Sequence, residues 1–355
     1  MKFCIECFID LEIRNIIGQS QDIGDCPICN TKSVSLYDSE KDFSIKDAFN
    51  KLFDLYTLET KASDNIPKSA FTTIIDDLID NWNIFSPNLK VSQIRKILEL
   101  LCIDKNILIQ KVVIAENYNP AYLKEYCIVN TGKWVDFSNT IKNINRFHSN
   151  ALNTIRLKPY LEGLVKVYPK GMKFYRGRIA ENEKGFSIND IGMPKANFAK
   201  SGRANSTGIP RLYLASDEKT VLHEIRSSMY DFVSVGVFEL KQDMKVIDLQ
   251  NIDKLSPFSD YDADIALFAI NKQILHDINN EMAKPIRNNA NPIEYIPTQY
   301  IADYVHSLKE YDGIEYKSTM NPNGYNLAIF DPALFECISV KTVQVNEINY
   351  SWKKI

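Results

Sequence analysis

Between residues 43 and 104 the apolar positions recur at steps of three and four, which is the spacing of one face of an α-helix. The recurring residues are Ile45, Phe49, Leu52, Phe53 and Tyr56, then Ile74, Ile75, Leu78 and Ile79, then Ile94, Ile97, Leu98 and Leu101. This pattern predicts at least three helices, the last of them capped by Ser92 after a break at Pro87. A further helix is predicted for residues 137–148, whereas residues 117–133 are expected to form a connection.

After Pro169 the pattern changes to short apolar runs separated by Gly, Pro, Asn and Asp, which is typical of strands joined by turns. The predicted strands cover residues 172–175, 211–215, 233–240, 245–249 and 327–330. The predicted helices cover residues 218–228, 263–279 and 299–310. Strands and helices together predict an α+β fold for this half of the chain.

Four cysteines near the N-terminus, Cys4, Cys7, Cys26 and Cys29, form two pairs that each have the spacing C-x2-C. Two such pairs are typical of knuckles that fold around a tetrahedral zinc ion, and the alternative is four unpaired thiols. Because cysteine fills all four ligand positions and none is left for water, we predict a structural Zn2+ and no catalytic metal.

The chain has 355 residues and a formal net charge of -3, and its length predicts two or three domains. No long basic block is present, which argues against nucleic acid as the main partner, since phosphate-backbone binding needs concentrated Lys and Arg. The N-terminus has no signal-peptide pattern, and no apolar run reaches the ~20 residues that a membrane span needs. We therefore expect a cytoplasmic protein without membrane contact, whose cysteines are reduced thiols or metal ligands.

Two arginines, Arg176 and Arg178, follow the predicted strand 172–175 and would lie on the same face of it. A guanidinium offers a rigid fork of donors that matches phosphate oxygens, so either residue is a candidate for anion binding. The alternative for both is an ion pair on the protein surface.

A loop at residues 200–208 combines glycines with hydroxyl and amide side chains, so its backbone N–H groups can bend around an anion. Arg203 would add positive charge to this loop, and Gly208 ends it. The loop leads into the strand 211–215, where Tyr213 alternates with leucines. The alternatives are a solvated turn for the loop and a core position for the tyrosine.

Glu224 is predicted to lie beside the apolar face of the helix 218–228, for which Ser216 is the expected N-cap. Without further context it would be a solvated glutamate. Ser318 precedes the last predicted strand, and no Gly-x-Ser-x-Gly elbow surrounds it. A nucleophilic serine is therefore disfavoured, and its hydroxyl is expected to hydrogen-bond a substrate.

The order of these residues resembles the RES family, which is named for Arg, Glu and Ser. Over residues 171–332 the resemblance matches the family's active-site arginine, tyrosine, glutamate and serine to Arg176, Tyr213, Glu224 and Ser318. It implies an ADP-ribosyltransferase-like α/β fold and cleavage of NAD+ at the nicotinamide–ribose bond, with NAD+ as substrate rather than cofactor. Substrate contacts are predicted for Arg178, Arg203 and Gly208.

The resemblance also implies a toxin or an effector of anti-phage defence, since bacterial RES proteins commonly drain NAD+ from the cell. An antitoxin or a regulatory protein is an expected partner of such a toxin. The acceptor of the ADP-ribosyl group stays open between water, phosphate and a protein side chain, the last of which would make the enzyme an ADP-ribosyltransferase. A domain that binds NAD+ or another nucleotide as a sensor, without turnover, is the remaining alternative.

The N-terminal half is similar to proteins in which a zinc knuckle and a HEPN-like helical domain precede a RES domain. We therefore predict a zinc knuckle at 1–35, a helical HEPN-like domain at 36–165 and a RES domain at 166–355. A nuclease role for the helical domain is disfavoured because no histidine has an arginine at the HEPN spacing upstream of it. The histidines are His148, His223, His276 and His306.

Overall fold

The computed structural model describes residues 2–259, 265–285 and 291–348. Its residues group into two compact units. Unit 1 comprises Met1–Gly132 with Lys254–Gln273, and unit 2 comprises Lys133–Asp253 with Ile274–Ile355. The domain boundaries expected from the sequence, at residues 35 and 165, stay a prediction.

The described residues form ten α-helices. They are α1 (Leu11–Gly18), α2 (Ser44–Phe53), α3 (Ile74–Asp80), α4 (Val91–Leu101), α5 (Pro120–Tyr126), α6 (Trp134–Asn139), α7 (Thr154–Glu162), α8 (Glu218–Glu224), α9 (Ile265–Ala283) and α10 (Ile296–Ser307). A π-helix, Thr140–Ile144, continues α6. Residues 263 and 264 of the predicted helix 263–279 lie outside the described residues.

The strands fall into three sheets within the described ranges. They are β1 (Lys2–Cys4), β2 (Ile23–Gly24), β3 (Val34–Asp38), β4 (Tyr56–Leu58), β5 (Thr72–Thr73), β6 (Lys111–Ile114), β7 (Val165–Tyr168), β8 (Lys173–Ala180), β9 (Leu212–Ala215), β10 (Phe232–Leu240), β11 (Met244–Asp248), β12 (Gly313–Lys317), β13 (Tyr325–Ile329) and β14 (Phe335–Gln344). The α+β class predicted for the C-terminal half is confirmed.

Four expectations for local structure are wrong. The predicted helical region also holds the small sheet β4-β6-β5, and the expected connection 117–133 contains α5, whose N-cap is Asn119. Ser92 lies inside α4, which begins after Lys90. Asp217 rather than Ser216 caps α8, because its carboxylate reaches the Thr220 N–H at 2.8 Å.

Unit 2 is built on a sheet of eight strands in the order β14-β10-β8-β9-β13-β12-β11-β7, counted over the residues that the structure describes. Its pairs are antiparallel except β11 with β12, which are parallel. Strands β8 and β9 pair at a single position, Tyr175 with Ala215. The two halves of the sheet therefore diverge at this point.

One face of the sheet carries an apolar core in which Leu212, Leu214, Leu327 and Ile329 are buried with Phe174. Because side chains alternate along a strand, the residues between them point to the opposite face. The register places Tyr213 beside Ala328, Ala215 beside Asn326, and Asn326 beside Tyr316. Polar and aromatic side chains of three neighbouring strands thus share the face that does not form the core.

Glu315 of β12 is completely buried and paired in register with Asp248 of β11. Its carboxylate accepts hydrogen bonds from Lys166 Nζ at 2.8 Å and from the Tyr168 hydroxyl at 2.6 Å. Burial raises the pKa of both carboxyls. A buried carboxylate is stable only with such hydrogen-bond partners. Because Lys166 and Tyr168 belong to β7, their hydrogen bonds to Glu315 link β7 to β12 across β11, which lies between them.

Helix α8 approaches β8 most closely at Gly177. A Cβ atom added there would lie 2.3 Å from Val221 Cγ1 and 3.4 Å from Ile225 Cδ1. No real Cβ comes that near a neighbouring carbon, so the helix lies where it does only because residue 177 has no side chain.

We expect Gly177→Ala to lower the melting temperature of the protein, because the added methyl group overpacks the contact between α8 and β8 at a cost of about 1–3 kcal/mol. Thermal unfolding followed by circular dichroism measures this. The matched control is Gly192→Ala, where nothing lies within 4 Å of the added Cβ. Equal melting temperatures for the two variants would contradict the proposed close contact.

Candidate active site

A cavity of about 230 Å³ lies between α8 and the polar face of the sheet in unit 2. Its wall consists of residues from β8, β9, α8, β12 and β13 together with Ile225. These are Tyr175, Arg176, Gly177, Tyr213, Leu214, Ala215, Val221, Glu224, Ile225, Tyr316 and Asn326. Pockets for whole ligands usually measure ~300–1,000 Å³, so a cavity of this size takes part of a dinucleotide rather than all of it.

Glu224 is the carboxylate of the cavity wall, and both of its hydrogen bonds converge on one oxygen. Its Oε1 accepts from the Ser318 hydroxyl in a short bond and from Asn326 Nδ2 at 3.0 Å. Its Oε2 makes no hydrogen bond to any residue that the structure describes. One oxygen therefore fixes the side chain, and the other is available to a ligand.

Ser318 is buried next to Glu224 and is not part of the cavity wall. Its oxygen also accepts from the Asn321 N–H at 3.0 Å. Asn321 Nδ2 in turn donates to Thr220 Oγ1 at 2.8 Å, which ties this loop to α8. The serine was expected to hydrogen-bond a substrate, whereas here its hydroxyl donates to the carboxylate and holds it in place.

Arg176 bridges the gap where β8 and β9 diverge. Its Nε donates to the Ile191 carbonyl at 2.8 Å and its Nη1 to the Tyr213 carbonyl at 3.0 Å. Within the described ranges it has no carboxylate partner, and its Nη2 makes no hydrogen bond. Burial and the nearby charge of Arg178 lower the pKa of Arg176 to about 10, so it stays charged near neutral pH. A charged group without an anion in a cavity wall is suited to bind one.

Tyr213 contributes its ring to the cavity wall while its hydroxyl is engaged in the loop 200–208. The hydroxyl donates to Asn205 Oδ1 at 2.7 Å and accepts from the Ala204 N–H at 3.0 Å. Burial raises the pKa of Tyr213 to about 12, so the hydroxyl is neutral. The loop is held from its other side by Gln299, whose Nε2 donates to the Gly202 and Asn205 carbonyls at 2.8 Å each.

The three residues predicted to contact substrate lie outside the cavity wall. Arg203 donates to the carbonyls of Glu281 and Lys284, at the end of α9, at 3.0 and 2.7 Å. Arg178 donates to the Asp190 carbonyl at 2.7 Å. Gly208 is exposed and has a positive φ of 84°. Their contact with substrate stays a prediction.

Three residues of the wall, Tyr175, Tyr316 and Asn326, had no place in the sequence-based site. Tyr316 and Asn326 lie opposite each other in the β12–β13 register, and Asn326 donates to Glu224. The positions of Tyr316 and Asn326 along their strands could have predicted that they belong to the site. Tyr316 stands two residues before Ser318, and Asn326 faces the same way as Tyr213 once β9 and β13 are paired.

In unit 1 the four N-terminal cysteines come together as the spacing predicts, and their sulfurs all lie within 4.8 Å of one another. Cys4 Sγ is 3.8 Å from Cys7 Sγ and 3.4 Å from Cys29 Sγ, and Cys7 Sγ is 3.8 Å from Cys26 Sγ. Four thiolates bound tetrahedrally at ~2.3 Å from a zinc ion are about 3.8 Å apart, so the cluster fits such an ion. The hydrogen bond from Cys7 lowers the pKa of Cys4 to about 5, which favours a thiolate.

Comparison with known proteins finds a family model that matches the C-terminal part of the chain. Residues 178–353 match the RES domain. This match supports a RES domain in the part of the chain that holds the cavity, although it begins two residues after Arg176. No curated protein matches the chain. Over the described residues, no helix has both the length and the apolar character that crossing a membrane requires.

We expect Arg176→Lys to impair substrate use far more than Arg178→Lys. The ammonium keeps the charge, but all its donors are on one nitrogen, so it cannot reproduce the rigid fork that reaches the Ile191 and Tyr213 carbonyls from two separate nitrogens. Arg178 lies outside the wall, where it donates to the Asp190 carbonyl and its guanidinium carbon lies 4.0 Å from the centroid of the Phe186 ring. Dissociation constants for NAD+ and for ADP-ribose measure the difference. The reverse ranking would assign the anion-binding role to Arg178.

Proposed function

We propose that the C-terminal part of this chain cleaves NAD+ at the bond between nicotinamide and ribose. The observation that carries this proposal is that one cavity wall contains both Glu224, whose Oε2 has no hydrogen-bond partner among the described residues, and Arg176, a guanidinium with no carboxylate partner there. One is an oriented negative charge and the other a positive charge without an anion. The match to the RES domain is consistent with an NAD+-related activity.

The chemistry follows from the charge that develops on the substrate. When the glycosidic C–N bond breaks, its electron pair leaves with the nicotinamide nitrogen, and positive charge builds on the ribose. A carboxylate fixed beside the ribose stabilises this charge and orients the attacking group. The acceptor oxygen then bonds to the ribose carbon, and its proton passes to Glu224 or to solvent.

The role we assign to Arg176 is to grip the phosphates of NAD+. Binding energy from that remote part of the substrate then holds the ribose against Glu224. The role we assign to Ser318 is to orient Glu224, since its hydroxyl donates to Oε1. Both roles agree with a cavity too small for the whole dinucleotide, whose remainder would extend beyond the wall.

Release of nicotinamide from NAD+ by the purified full chain, followed with and without phosphate, tests the proposal. Release without phosphate indicates hydrolysis, release that requires phosphate indicates phosphorolysis, and release that requires an added protein indicates ADP-ribosyl transfer. Binding of NAD+ without any release would mean that the protein is a sensor. In a bacterial cell unrestrained cleavage would drain NAD+, so we propose a role as a toxin or an anti-phage effector.

For the cysteine cluster of unit 1 we propose one structural zinc ion, held by Cys4, Cys7, Cys26 and Cys29. When bound, the ion would cross-link the segments that carry the two cysteine pairs. The cluster is outside the residues that form the cavity wall, so it supports the fold of unit 1 rather than the reaction.

We expect Glu224→Gln to reduce NAD+ cleavage by ~10²–10³-fold, because it removes the charge that stabilises the ribose in the transition state. The amide oxygen can still accept from Ser318 and Asn326, so the melting temperature should not fall. The matched control is Glu218→Gln on the same helix, where the carboxylate pairs with Lys341 at 2.7 Å on the surface. A wild-type rate of nicotinamide release from the Glu224 variant would show that another group supplies the charge.

We expect Cys26→Ser to release the metal and to destabilise the first residues of the chain, because thiolate ligation couples metal binding to folding. Metal analysis of protein purified without chelator, together with proteolysis of the N-terminus, checks both effects. Cys102→Ser is the control, since Cys102 is a buried cysteine of unit 1 whose thiol donates to the Asp104 carbonyl at 3.1 Å. Wild-type protein that carries no zinc would refute the proposal.

A further inference from the structure

Tyr316 is a buried tyrosine of the cavity wall whose hydroxyl has no protein partner. Its side chain is 7% exposed. Across the part of the chain that the structure describes, its hydroxyl neither donates nor accepts a hydrogen bond. The hydroxyl is not among the fully buried atoms that lack a partner, so it remains accessible in the cavity, where a ligand can supply its hydrogen bond.

The other tyrosine assigned to the site is different in this respect. The Tyr213 hydroxyl is committed to Asn205 and to the Ala204 N–H, so it fixes the loop 200–208 and presents only its ring to the cavity. Of these two tyrosines, Tyr316 is therefore the one whose hydroxyl is available to a substrate.

The surroundings of Tyr316 indicate what its hydroxyl would contact. It stands opposite Asn326, which donates to Glu224, and the charge of Glu224 acts on it. Burial raises the pKa of Tyr316 well above that of a free tyrosine, so the group is a neutral donor and not a base at physiological pH. A neutral donor beside a carboxylate matches a sugar, whose hydroxyl and ring oxygens accept while its other hydroxyls donate.

We propose that Tyr316, rather than Tyr213, supplies the tyrosine hydroxyl that hydrogen-bonds the substrate, at the ribose next to Glu224. The proposal rests on the cleavage of NAD+ proposed above. It makes Tyr316 a residue that contacts substrate and makes Tyr213 a positioning residue that holds the loop and shapes the wall.

The test compares Tyr316→Phe with wild type in three measurements. We expect kcat/KM for NAD+ to fall about tenfold or more, which is the effect of losing a hydrogen bond of ~1.4 kcal/mol. The Kd for ADP-ribose, which keeps the ribose but lacks nicotinamide, should rise by a similar factor. The melting temperature without ligand should stay the same, because the hydroxyl makes no hydrogen bond to the described residues that the variant could remove.

Tyr311→Phe is the matched control, because Tyr311 is a buried tyrosine of the same segment, 8% exposed, that lies outside the cavity wall. It should leave all three measurements unchanged. Tyr213→Phe should lower the melting temperature by several degrees, because it leaves the Asn205 side chain and the Ala204 N–H without their partner.

Three results would overturn the inference: unchanged turnover by Tyr316→Phe, an unchanged Kd for ADP-ribose, or a melting temperature that falls as it does for Tyr213→Phe. The last of these would show that the Tyr316 hydroxyl is bound within the protein. If the wild-type protein releases no nicotinamide, the proposed cleavage fails, and the affinity for ADP-ribose then decides the role of Tyr316 by itself.

Discussion

The arrangement of the site depends on how Arg176 spans the point where β8 and β9 separate. The two strands share one residue pair, so the backbone ladder is missing where the cavity opens. In place of backbone hydrogen bonds between the two strands, the guanidinium donates to the Tyr213 carbonyl of β9 and to the Ile191 carbonyl in the loop that follows β8. A charge that is stabilised by carbonyl dipoles alone remains electrostatically unsatisfied, which suits it to a ligand phosphate. The Arg176 side chain thus connects the two diverging parts of the sheet and still carries a positive charge that an anion can bind.

The polar groups around the cavity divide into those that the fold uses and those that it leaves available. The hydroxyls of Ser318 and Tyr213 and the amide of Asn326 all have protein partners, and each fixes another part of the wall. Glu224 Oε2, Arg176 Nη2 and the Tyr316 hydroxyl do not have such partners among the described residues. Polar groups that the fold leaves available in a cavity are typical of sites where binding or catalysis needs them.

Much of this organisation follows from the sequence, and the exceptions have physical reasons. Periodicity located the long helices and the apolar strands, because burial imposes a repeat over many residues. The same analysis did not predict β4, β5 and β6, since strands of two to four residues are too short to show a repeating pattern of apolar positions. It also missed β14, an edge strand whose alternation is interrupted by charged residues.

The order of motifs predicted a site at Arg176, Tyr213 and Glu224, and the fold places all three residues in the wall of one cavity. Sequence could not tell that Ser318 faces the carboxylate or that Arg203 binds the end of α9, because a hydroxyl or a guanidinium takes its partner from tertiary contacts. The cysteine spacing predicted the cluster of four sulfurs correctly because residues that converge on one point through two short knuckles are separated by short fixed intervals.

The two units are interleaved along the chain. Residues 254–273 belong to unit 1, although they lie in the connection between β11 and β12 of unit 2. Within unit 1 the Phe258 ring lies 5.1 Å from that of Phe49, and the Phe268 ring lies 6.0 Å from that of Trp82. No single cut of the polypeptide can therefore release a unit intact, and deleting the N-terminal half would uncover aromatic side chains in the middle of the other half. A gene for unit 2 alone would therefore have to replace residues 254–273 with another connection between β11 and β12.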